Sequence, residues 1–167
     1  MYHILAGNLL LASIDLSAGG GVMVQPSSQY FHYVYGSAVT ISADQSDFVV
    51  RAQMWQRPEF TSSGFQDQDE GAQILLGHRF KNLGVFEFYM YLGGGLAQGY
   101  IQDLSSQTKS SYKVYGTSSS ASLGYHIGRF SITLEHLMFI GRRNQIEIDA
   151  KVLWPFSVTW INLGWVV

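Results

Sequence analysis

Residues 112–127 read YKVYGTSSSASLGYHI and, after Gly128–Arg129, residues 130–140 read FSITLEHLMFI. In the first run Tyr115, Ala121, Leu123, Tyr125 and Ile127 alternate with Ser118, Ser120, Ser122, Gly124 and His126. In the second, Phe130, Ile132, Leu134, Met138 and Ile140 alternate with Ser131, Thr133 and Glu135. A period of two sustained over this length specifies strands and disrupts any amphipathic helix. The pair predicts a hairpin whose two faces differ: one apolar, the other built of hydroxyls, glycine and isolated charges.

The same pattern extends in both directions. Segment 9–24 sets Leu10, Ala12, Ile14 and Leu16 against Ser13, Asp15, Ser17 and Gly19. Segment 30–43 sets Phe31, Tyr33, Tyr35, Val39 and Ile41 against His32, Gly36, Thr40 and Ser42. Segments 47–57, 71–80 and 85–100 place Arg51, Gln53, Arg57, Gln73, Arg79 and Glu87 on the polar face. Segment 145–153 adds Glu147 and Lys151, and 157–167 carries Ile161, Leu163, Trp165 and Val167 on one face. No helix is needed anywhere. Short connections are expected at Ala43–Asp47, Lys81–Gly84 and Gly128–Arg129. Longer polar loops are expected at Pro58–Glu70 and Gln102–Ser111, with shorter ones at Gln25–Gln29 and Gly141–Asn144. Short turns at one end and longer loops at the other suit an up-and-down barrel.

Which face carries the charge decides between a soluble and a membrane barrel. A lipocalin-like soluble barrel has an apolar interior and a charged exterior; a membrane barrel inverts this. Charged residues are 13% of the chain, against about 25% in ordinary soluble domains. The polar face is dominated by small Ser, Thr and Gly side chains that fit a narrow interior, with charges of both signs able to pair across it. The apolar face is aromatic towards the strand ends, at Tyr33, Tyr35, Phe80, Phe86, Tyr115, Tyr125, Phe130 and Trp165, as interfacial girdles are. In hydrocarbon every backbone polar group must pair within the protein, which strands achieve only by closing. The reading is therefore an all-β, closed, up-and-down antiparallel transmembrane β-barrel, residues 1–167 forming one domain.

Nine segments are convincing, and residues 1–6 form a weak tenth. With the short turns and both termini at one end, the strand number must be even, and eight is the count adopted. Residues 145–156 are then a loop arm or part of one irregular strand bent at Pro155. Residues 1–8 are read as a mature terminus.

At this point the chain resembles the small outer-membrane β-barrels of Gram-negative bacteria, of the OmpA membrane domain, OmpX and OmpW type. The alternating last segment up to Val167 is similar to the signal read by the barrel-assembly machinery, although that signal usually ends in Phe or Trp. The resemblance implies integral residence in the outer membrane, with its lipid and lipopolysaccharide and the assembly machinery as partners. The loop partner is left open.

The residues offer little chemistry beyond this. A net charge of −2 gives no basis for binding nucleic acid. With no cysteine, disulfides, thiolate metal sites and Cys nucleophiles are excluded, and no cofactor or metal is expected. No His lies two residues before a Ser, the arrangement expected of deacylase barrels. The nearest approach to a site is His126 with Ser122 and Ser120 on one face, with Glu135 on the next strand placed to orient it; the simpler reading makes all of these lumen residues. His78 and His136 fall on the lipid face. Asp67, Asp69 and Glu70 are read as a solvated loop, and the Gly19–Gly21 and Gly93–Gly95 runs as sites of wall curvature or a bulge. Asp15, Arg51, Arg79, Glu87, Glu135, Glu147 and Lys151 are expected to form a lumen polar network that plugs the barrel. The function expected is a non-enzymatic scaffold acting through its loops. The alternatives are a narrow pore for small or hydrophobic solutes, a lipid A acyl hydrolase, or a soluble lipocalin-like binder.

Overall fold

A computed structural model describes residues 12–25, 31–43, 47–83, 85–145 and 151–167. They form eight antiparallel strands: β1 (Ala12–Val24), β2 (Phe31–Ala43), β3 (Phe48–Ser62), β4 (Phe65–Leu83), β5 (Phe86–Asp103), β6 (Lys109–Ile127), β7 (Phe130–Gln145) and β8 (Lys151–Val166). Each pairs with its sequence neighbour, and β1 pairs with β8 from Asp15↔Val166 to Val24↔Ser157, which closes the barrel. Closure leaves no edge strand.

The strand count of eight holds, but several boundaries move. The expected long loop Pro58–Glu70 is mostly strand: β3 and β4 run on to a two-residue turn at Ser63–Gly64. Pro58 is accommodated because the β2–β3 ladder has ended at Tyr35↔Gln56 and the β3–β4 register shifts between Arg57 and Phe60; a missing N–H is tolerated at such a bulge. The expected loop Gly141–Asn144 lies within β7. Segments 151–153 and 157–167 belong to one strand that passes through Pro155. There β8 has only β7 beside it, since the β1 ladder begins at Ser157. The weak segment 1–6 lies outside the described residues, as does Glu147.

The faces sort as the alternation requires. Leu92 is 70% exposed, Ile74 64% and Ile161 58%, all pointing outward, whereas Arg51, Gln73 and Glu135 are buried inside. A soluble barrel would show the reverse. On β7 the outward residues from Phe130 to Ile140, apolar except for His136, span about 33 Å along the strand, or roughly 25 Å along the axis at a tilt of about 40°. That matches the height of a membrane barrel's apolar band.

Candidate functional site: the lumen and its two ends

The interior is stacked in layers. At the short-turn end an open cup of about 230 Å³ is lined by Asp15, Arg79, Glu87, Ser122, His126 and Thr133 among others. His126 Nε2 lies 3.2 Å from Glu87, and the Tyr89 hydroxyl donates to the same carboxylate. Ser131 donates to Asp15 at 2.9 Å. At the floor of the cup Arg51 donates to Glu135 (2.8 Å) and Thr40 (2.8 Å). Glu135 is fully buried and also accepts from Ser120 (2.7 Å) and Asn162 (3.3 Å).

Beyond this layer the lumen turns apolar. Val34, Trp55, Leu75, Val114, Leu137, Phe139, Phe156, Val158 and Trp160 form a buried cluster. Phe139 stacks on Phe156 at 5.0 Å, and Trp55 meets Phe156 edge-on at 5.1 Å. Large rings fit because glycine stands beside them: Trp55 faces Gly71, Tyr91 faces Gly77 and Tyr112 faces Gly99. A Cβ on Gly71 would lie 2.5 Å from the Trp55 ring.

A second charged layer caps the long-loop end. Arg57, only 2% exposed, reaches both Asp67 (2.8 Å) and Asp69 (2.7 Å). His32 packs edge-on against Phe60 at 4.9 Å. Asp67 and Asp69 are therefore strand residues of the lumen and not members of a loop. Glu70 points outward and accepts from Gln98 at 2.6 Å.

Of the anticipated network, the structure brings Asp15, Arg51, Arg79 and Glu87 around one cup and joins Arg51 to Glu135. Glu147 lies outside the described residues. Lys151 opens β8 opposite Asn144, and its side chain is outside the described part. His126 and Ser122 line the cup, but Ser120 is committed to Glu135. The carboxylate beside His126 is Glu87 and not the anticipated Glu135. The alternation places Arg57 on the polar face, where the structure has it, but does not register Asp67 and Asp69 as its lumen partners or the aromatic waist. Their one sequence signal is the set of inward glycines opposite bulky residues.

No family model and no curated protein sequence matches the chain. Solved structures do. Ail, the attachment invasion locus protein of Yersinia pestis, superposes with a TM-score of 0.63 at 12% identity, over 93% of this chain and 97% of that one. Neisserial surface protein A gives 0.63 at 9% identity, over 92% and 96%. A major outer membrane protein of Thermus thermophilus gives 0.64 at 11% identity, over 93% and 99%. The chain has the fold of the small outer-membrane β-barrels. For such a barrel the layers act in series: a path along the axis must pass two ion-paired zones and a waist of interlocked rings. An eight-stranded interior can be filled by its own side chains, and at the waist of this barrel it is.

Proposed function

We propose that this chain is an integral barrel of the bacterial outer membrane that acts as a scaffold, presenting its long-loop end to the exterior, and not as a conduit. The observation that carries this reading is the apolar waist. Trp55, Phe139, Phe156 and Trp160 are all at most 3% exposed, so the tube is closed by packed rings and not by a gate of mobile charges. Hydrocarbon-facing strands provide the anchor. The extensions of β3–β4 and β5–β6 beyond the apolar band, tipped by Ser63–Gly64 and by residues 104–108, provide the surface offered to partners. The barrel-assembly machinery would insert such a chain. Purified protein refolded into planar bilayers is expected to give no single-channel steps, while showing heat-modifiable migration in detergent. Regular conductance steps would overturn the scaffold reading. Recovery in an aqueous fraction without detergent would overturn the membrane placement.

A further inference from the structure

Below the rim residues Gln56, Glu70 and Gln98, the outer wall is apolar around most of its circumference. Among the described residues, β1 to β5 interrupt it twice, at Ser37 and at His78, whose ring packs edge-on against Phe80 at 4.5 Å. On β6 to β8 five outward polar side chains stand together: Thr117 and Ser119 on β6, His136 on β7, Ser157 and Thr159 on β8. The register makes them neighbours. Ser119 and Ser157 flank Met138 on either side, and Thr159 pairs directly with His136. His136 Nδ1 lies 2.9 Å from the Thr159 hydroxyl. His136 is near the middle of the outward run from Phe130 to Ile140, so this patch faces the interior of the hydrocarbon and not its boundary.

Acyl chains offer no hydrogen bond, so a polar side chain at this depth is costly until another protein surface meets it. No side-chain hydrogen bond joins Thr117, Ser119 or Ser157 to another described residue. With Nδ1 engaged, His136 Nε2 can bond a further hydroxyl, as donor in one tautomer and as acceptor in the other. A second copy of this chain supplies what is needed. Copies inserted in one orientation are related by an axis along the membrane normal, so each brings its patch to the depth of the other's. Donors and acceptors occur together in the patch, which therefore complements itself. Its relief does the same. Ser119 and Ala121 floor a groove of about 660 Å³ between Met90 and Leu92 on one side and His136 and Met138 on the other. Small floor residues permit close approach of a second wall. Leu134 and Met138, 51% and 49% exposed, stand beside the groove as a ridge.

We propose that the outward face of β6 to β8 is a homodimer interface within the membrane. The β7 ridge of one copy seats in the β6 groove of the other, and His136 bonds a hydroxyl across the two-fold axis. The interface rests on the membrane reading above. The chain has no cysteine, so Arg129→Cys in the exposed short turn provides one dye site outside the hydrocarbon. Energy transfer between donor- and acceptor-labelled barrels is followed in phosphatidylcholine vesicles as the protein-to-lipid ratio is lowered. Wild type is expected to pass from dimer to monomer on dilution. S119A/H136L/T159V should require a protein-to-lipid ratio about tenfold higher for half-association, the effect of losing a few membrane-buried hydrogen bonds. S37A/H78L, which removes the polar residues of the remaining wall, should follow wild type. At a dilution where wild type is monomeric, the urea midpoint of S119A/H136L/T159V should not fall, because the patch serves association and not the barrel's own fold; a fall would overturn the proposal. So would wild type that stays monomeric at every ratio, with or without retained lipid, unaltered association in S119A/H136L/T159V, or an equal loss in S37A/H78L. Failure to insert into vesicles would instead overturn the membrane reading.

Discussion

Glu135 is a carboxylate with no solvent contact, held by Arg51, Ser120 and Asn162. A buried ion pair is weak evidence of stability in itself, but removing one partner leaves an uncompensated charge. Arg51→Met is therefore expected to lower the free energy of unfolding by about 3–5 kcal/mol. Adding Glu135→Leu should restore all but about 1 kcal/mol, the remainder reflecting hydroxyl and amide groups left without an acceptor. Urea titration of the barrel in lipid vesicles, followed by tryptophan emission, measures both; a double variant as unstable as the single one would contradict the account. At the exterior end the Asp103 carboxylate accepts from the Ser105 hydroxyl (2.7 Å) and amide (2.8 Å) and lies near Ser106. These bonds to the charged form hold its pKa below the ordinary carboxylate value, the Ser105 hydroxyl contributing most. A lowered folded pKa stabilises the loop above the unfolded value of about 3.9, and that contribution is lost as pH falls through the lower folded value. Amide shifts of Ser105 and Ser106 should therefore titrate with a midpoint below the ordinary carboxylate value of about 3.9, and Asp103→Asn should abolish the transition. That Arg51, Arg79, Glu87 and Glu135 face inward was legible from alternation. Their pairing was not, because Arg51 and Glu135 are 84 residues apart and meet only when the sheet closes.

At the scale of elements, the hairpins divide into those inside and those beyond the apolar band. Gly128–Arg129 was readable as a turn because strict alternation resumes on both sides of it. The β3–β4 hairpin was misread as a loop for a physical reason. Beyond hydrocarbon both faces of a strand can be wet, so hydropathy no longer alternates and the period-two signal fades, although the ladder continues from Arg57↔Asp69 to Ser62↔Phe65. The turn itself has Ser63 at φ 53° and Gly64 at φ 84°, the left-handed pair that matches strand twist in a two-residue hairpin. Gly64→Ala forces a Cβ into this region at a cost of about 1–2 kcal/mol. The expected result is local: faster hydrogen exchange at amides 60–66 by roughly tenfold, with the global unfolding midpoint unchanged because the barrel closes below this hairpin. A shifted global midpoint would show that the extension folds as one unit with the wall.

For the whole molecule, the waist joins strands that are distant in sequence, Trp55 of β3 meeting Phe156 of β8. Its rings are seated on glycines of neighbouring strands: Trp55 lies over Gly71 of β4, and Phe139 of β7 against Gly116 of β6. These ring sockets are not the glycines anticipated as points of curvature, Gly19–Gly21 and Gly93–Gly95, of which Gly19, Gly21, Gly93 and Gly95 lie closest to the backbone of the neighbouring strand. Composition alone could not reveal this, because an inward and an outward glycine look identical in sequence. The distinction is testable by adding one methyl group. At Gly71 the new Cβ would sit 2.5 Å from a rigid indole, whereas at outward Gly20 the nearest atom is 3.6 Å away. Overpacking of a filled interior costs about 1–3 kcal/mol, while a methyl group added to the outer wall should change stability by less than about 0.5 kcal/mol. Gly71→Ala should therefore lower the urea midpoint and alter tryptophan emission in the folded state, and Gly20→Ala should do neither. If both variants matched wild type, the rings would have room to move aside. The waist would then be a loose filling that water can cross, and the sealed lumen on which the scaffold reading depends would no longer follow.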